Sequence, residues 1–128
     1  SNRGYAPVVE PFQKWFSKCT NDLGFGECIF RNDGIWGDAK HRATASCHNS
    51  GEAIDVGLPF RCANDKIIRE RDDEAMQIAN CMANNTNNEL GVIFRDVRNG
   101  PNMFPAGILG NHNSHIHIQI RHCRNVRG

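Results

Sequence analysis

The chain has 128 residues, a formal net charge of +1 and 39% hydrophobic residues. That length suits one domain with a real core, and not two. The near-neutral charge provides no field to draw nucleic acid, and no apolar run approaches the length of a membrane span.

Residues 1–7 read as a loose entry. From 8 to 19, Val9, Phe12, Trp15 and Phe16 recur at helical spacing, with Pro11 near the first turn. This predicts a short amphipathic helix whose aromatics enter the core. Gly24 and Gly26 mark a turn, and residues 27–31 read as a strand ending in Arg31. Residues 32–47 are rich in Gly, Asp, Lys and Arg without a clean period, and are read as a surface loop.

A second strand is expected over 52–58, with Ala53 and Asp55 on one face, Ile54 and Val56 on the other, and Pro59 ending it. Residues 65–82 carry Ile67, Ile68, Ala75, Ile78, Ala79 and Met82 on one side, which predicts a helix. The charged run 69–74 within it reads as a solvated face or a helix start. After a polar stop at 84–88, residues 90–97 form an expected third strand. A Gly/Pro loop over 98–110 follows, leading to the final strand. The resulting fold class is α+β: a small, mainly antiparallel sheet with two or three flanking helices, in one domain spanning 1–128.

Six cysteines (Cys19, Cys28, Cys47, Cys62, Cys81 and Cys123) are spread along the chain without the C-x-x-C pair of zinc ribbons. An even count at wide spacing predicts three disulfides formed in an oxidising compartment, so the expected setting is secreted, extracellular or periplasmic. The spacing does not select the pairing. Asn84-Asn85-Thr86 is a glycosylation sequon, meaningful only in a chain secreted by a eukaryote.

Chemistry concentrates in two stretches. From His115 to Ile120 the residues alternate, so Ile116, Ile118 and Ile120 share one face while His115, His117 and Gln119 share the other. Upstream, Ser46-Cys47-His48-Asn49-Ser50-Gly51-Glu52-Ala53-Ile54-Asp55 offers another imidazole and a carboxylate. Asp55 lies in an otherwise apolar strand, where an unpaired carboxylate is expensive to bury. Either a metal or an arginine would offset that. Catalytic zinc takes three protein ligands and keeps one position for water, and His48, Asp55 and one or both of His115 and His117 are the available donors.

The pattern Ser46-x-His48-x-x-Gly51-x-Ala53-x-Asp55, followed by His115-x-His117, resembles the zinc D-Ala-D-Ala carboxypeptidases. These belong to the group that also holds lysostaphin-type endopeptidases and the hedgehog signalling domain. Gly110-x-His112-Asn113-x-His115-x-His117 is similar to the Gly-His-Asn-x-His-x-His run of secreted bacterial members, with one residue inserted after the glycine. The resemblance implies a hedgehog/DD-peptidase-like fold with Zn2+ held by His48, Asp55 and His117. It implies catalytic roles for His115 and His112, and substrate binding by Arg31 (or Arg42) and Ser46.

One position departs from the family. Many members carry Glu or Asp three residues before the last zinc histidine, and here that position is Ser114. A serine does not take up a proton near neutral pH. His115 or His112 is the expected substitute, with Glu52 or Asp96 as carboxylate alternatives.

The expected activity is that of a secreted zinc metallopeptidase hydrolysing peptidoglycan stem peptides. The chain is expected to be monomeric, without nucleic-acid partners or membrane insertion. The rival is a non-catalytic zinc-binding module in a secreted ligand or effector, and a third reading is a histidine-based nuclease or other hydrolase.

Overall fold

A computed structural model describes residues 7–32, 51–85, 89–98 and 114–120. Helix α1 (Val9–Asp22) buries Phe12, Trp15, Phe16 and Cys19, the side that the apolar spacing marks out. It continues about one turn past residue 19. The chain leaves through hydrogen bonds from Leu23 N–H to Cys19 O and from Gly24 N–H to Asn21 O. Gly24, at φ +87°, supplies the left-handed step.

The remaining elements are β1 (Cys28–Asn32), β2 (Ala53–Cys62), β3 (Ile67–Ile68), α2 (Asp73–Asn85), β4 (Leu90–Phe94), β5 (Val97–Arg98) and β6 (His115–Ile120). The strands form one antiparallel sheet in the order β1-β2-β6-β4-β5, with β3 on β2. The last of the described strands therefore lies between β2 and β4, in the middle of the sheet. The architecture is α+β, with two helices among the described residues.

Three expectations are corrected. Pro59 does not end β2, which continues to Cys62. Between the pairs Ile29↔Arg61 and Arg31↔Gly57 the register shifts, so Leu58, Pro59 and Phe60 oppose Phe30 alone. Pro59 is exposed within this bulge, where its missing N–H leaves no ladder bond unmade. The Leu58–Pro59 peptide is cis.

The second correction concerns the expected helix over 65–82. Ile67 and Ile68 instead pair with Arg61 and Phe60 as β3, and α2 begins only at Asp73. The turn before β3 places Asp65 at φ +64°, which no helix accommodates. Asp72 then closes the entry to α2, its carboxylate accepting from Arg69 N–H at 2.8 Å while its own carbonyl accepts from Ala75 N–H. Third, residues 90–97 are not one strand. Arg95, at φ +52°, and Asp96 turn the chain, and Phe94 pairs with Val97.

One face of the sheet packs on the helices. Ile54, Val56, Leu58 and Phe60 from β2 meet Leu90, Val92, Phe94, Ile116 and Ile118, together with Phe12, Phe16, Ile78 and Met82 from the helices. Phe12, Phe16, Phe30 and Phe60 form a ring cluster with centroids 5.0–5.5 Å apart, mostly edge to face. Each fully buried side chain of this size stabilises by roughly 1.5–3 kcal/mol. Trp15 Nε1–H donates to Glu89 Oε2 at 2.8 Å, anchoring α1 to the entry of β4.

Two disulfides staple this layer. Cys19–Cys81 joins α1 to α2, and Cys28–Cys62 joins register partners on β1 and β2. Their sequence separations of 62 and 34 residues give roughly 4 kcal/mol each on the chain-entropy estimate. The expected third bridge falls to Cys47 and Cys123, which lie outside the described residues. Among the described residues, no helix is long and apolar enough to cross a membrane.

Candidate metal centre

The sheet face away from the helices carries the polar set. Alternation on β2 and β6 assigns Ile54, Val56, Ile116 and Ile118 to the core, so Asp55, His115, His117 and Gln119 share the other face. The register pairs Ala53 with Gln119, Asp55 with His117, and Gly57 with His115. On the far side of β6, Gly91 pairs with Gln119 and Ile93 with His117.

Residues at these positions are buried despite their polarity. Asp55 is 4% exposed, His117 1% and Gln119 1%. His117 Nδ1 lies 3.2 Å from Asp55 Oδ1, and His115 Nε2 lies 3.7 Å from the same oxygen. On the opposite edge of the ring, His117 Nε2 is 2.8 Å from Gln119 Oε1. Gln119 Nε2 is buried and, among the described residues, has no hydrogen-bond partner.

This geometry constrains the imidazole of His117. Both of its nitrogens face acceptors, a carboxylate oxygen on one side and an amide oxygen on the other. A neutral imidazole has a single N–H to donate. With Nε2–H donating to Gln119 Oε1, the Nδ1 lone pair points at the Asp55 carboxylate.

The distance suits a metal. Donors about 2.0–2.1 Å from a tetrahedral zinc stand about 3.3 Å from each other, close to the 3.2 Å between His117 Nδ1 and Asp55 Oδ1. Asp55 and His117 thus fit as two ligands. Among the described residues, no group of three or more His, Cys, Asp or Glu is arranged to hold an ion. His115 is adjacent without completing such a group. No protein-family model, curated protein or solved structure matches the chain.

Of the residues singled out by sequence, Asp55, His115 and His117 come together. Arg31 pairs with Gly57, which pairs in turn with His115, so these positions form one cross-strand row. Ser46, His48, His112 and Arg42 lie outside the described residues. Glu52 stands at the opposite end of the β2–β6 ladder from His115, where its carbonyl accepts from Ile120 N–H. Asp96 is exposed in the β4–β5 turn.

Gly51 has a backbone role, since its φ of +73° favours glycine and its carbonyl accepts from Val8 N–H at 3.2 Å. It couples the start of α1 to the entry of the aspartate strand.

Sequence reasoning missed two features. It placed Gln119 on the histidine face but gave it no part. It also missed a cavity of about 420 Å³ lined by Glu70, Arg71, Arg95 and Ser114. Glu70 and Arg71 read in sequence as part of a solvated charge run, and nothing links them to Ser114 until the sheet forms. Among the described residues, neither arginine has an ion-pair partner. Two such guanidinium groups against the single carboxylate of Glu70 leave this lining net positive, which favours an anionic ligand.

Proposed function

We propose that the chain is a secreted zinc metallopeptidase acting on peptidoglycan stem peptides. The observation that carries this reading is the 3.2 Å approach of His117 Nδ1 to Asp55 Oδ1 on a buried sheet face, with His115 alongside. The resemblance of the Ser46–Asp55 and Gly110–His117 motifs to zinc D-Ala-D-Ala carboxypeptidases supplies the substrate class and names His48 as the third ligand. The two disulfides fit an oxidising compartment.

Zinc in such a site lowers the pKa of a bound water and polarises a carbonyl. The protein's part is to hold and orient. Asp55, His117 and His48 would bind the ion. His115, half-buried at the start of β6, or His112 would take the proton from the attacking water and return it to the departing amine, and His115 would also stabilise the charge on the attacked carbonyl oxygen. Arg31 and Ser46 remain the substrate-binding residues that the resemblance implies, and the arginine-lined cavity next to Ser114 suits a peptide bearing a carboxylate.

A second reading has its own support. Ser114 stands where the family carries a carboxylate base, which favours a zinc-binding module without hydrolytic activity. The test is digestion of purified peptidoglycan and its stem peptides by the zinc-loaded protein, with products identified by mass. A His115→Ala variant and a chelated control run in parallel. Zinc-dependent cleavage reduced about 100-fold or more in His115→Ala, with zinc content unchanged, is the expected result. Stoichiometric zinc binding without cleavage at any pH would replace the peptidase by the binding module.

A further inference from the structure

The buried amide of Gln119 has no role in the motifs that suggest zinc, and its placement runs against stability. Gln119 Nε2 is buried without a partner among the described residues, and leaving such a donor unpaired is destabilising. An aliphatic side chain of similar length would avoid that penalty. The register gives the amide freedom to lean along its own strand, because its neighbours on both sides, Ala53 and Gly91, are small. It leans toward His117, reaching Nε2 at 2.8 Å.

We infer that Gln119 is a positioning residue that keeps the His117 proton on Nε2 and so turns the Nδ1 lone pair toward Asp55, where a metal ion would bind. This rests on the zinc reading above and assigns a further residue to that site. Without the amide oxygen, the proton's best acceptor is Asp55 Oδ1, 3.2 Å from Nδ1. The neutral ring then adopts the Nδ1–H tautomer, and zinc must displace a hydrogen-bonded proton to bind. The same contact fixes the ring plane, as acceptors behind metal-bound histidines do in general.

Three proteins separate this role from simple packing: wild type, Gln119→Met and Gln119→Glu. Methionine keeps the length and removes the acceptor. Glutamate keeps an acceptor and can only accept when ionised. Zinc affinity is read by competition with a chromophoric chelator. The His117 tautomer is read from imidazole ¹⁵N shifts, with ¹¹³Cd–¹⁵N coupling in the cadmium-loaded protein.

The expected result is a loss of about 10–100-fold in zinc affinity for Gln119→Met, with Gln119→Glu staying close to wild type. Thermal stability of metal-free Gln119→Met should equal or exceed wild type, because the orphaned amide is gone. Coupling in the wild type should run to Nδ1. Tight zinc binding by the wild type with equal binding by Gln119→Met would overturn the role of Gln119 alone. So would coupling to Nε2. No zinc binding by the wild type would overturn the zinc reading and this inference together.

Discussion

Asp55 and His117 are direct register partners on β2 and β6, and their facing atoms, Oδ1 and Nδ1, lie 3.2 Å apart in a buried setting. The strand carrying His117 is the last of the described strands in sequence and central in the sheet. Its position is therefore held from both sides, by β2 and by β4. A pair held this way needs little rearrangement to bind an ion.

That relationship predicts the behaviour of Asp55→Asn. The substitution preserves shape and removes the charge that a cation requires. Zinc affinity should fall by more than the roughly 10–100-fold typical of changes one shell further out. Isothermal titration beside elemental analysis checks this, and unchanged affinity would exclude Asp55 as a ligand.

The arginine-lined cavity predicts a selective change in substrate binding. Arg95→Ala should raise KM roughly 10–100-fold for a stem peptide with a free terminal carboxylate, the range expected for a charged hydrogen bond. The same peptide with an amidated terminus should be little affected. Running Arg31→Ala beside it assigns the carboxylate to one arginine or the other, since only the residue in contact will distinguish the two peptides.

The helix–helix staple predicts a stability effect. Replacing Cys19 and Cys81 together by alanine opens a closure of 62 residues. Stability should fall by about 2–4 kcal/mol, measured by urea denaturation at fixed pH. Reduction of the wild type should lower it at least as far, because Cys28–Cys62 opens too.

Glu27 predicts part of the acid response. Ser17 Oγ–H donates to its carboxylate at 2.6 Å and Asn21 Nδ2–H at 2.9 Å, and these bonds hold its carboxyl below the ordinary range. A depressed carboxyl stabilises the fold above its unfolded pKa, and that contribution disappears as pH falls through the folded value. Between about pH 6 and about pH 3 the wild type should lose more stability than Glu27→Gln. Melts across that window check the sign. Glu27 is exposed, so the difference should be small.

The sequence made the α+β class legible, through the helical spacing of Phe12, Trp15 and Phe16 and the alternation of His115–Ile120. These patterns are local, and burial of one side of an element follows from its own period. The shared face of Asp55 with Ala53, and of His115 with His117 and Gln119, was legible for the same reason. Where local patterns failed, a partner decided the outcome. Ile67 and Ile68 suit a helix by spacing, yet they add to β2 because Asp65 turns the chain back on it. Pro59 signals a strand end, yet the bulge opposite Phe30 accommodates it.

What the sequence determined by itself is therefore the α+β class, the strongly periodic elements such as α1 and β6, the cysteines available as staples and the donor types on one strand face. Only the tertiary structure decided which donors meet. Strand order and register put Asp55 beside His117, set Gln119 against Nε2, joined Cys19 to Cys81, and brought Arg71 and Arg95 to Ser114. The physical reason is that a period of two fixes the face of each residue within its strand, whereas its cross-strand neighbour depends on how distant segments pack.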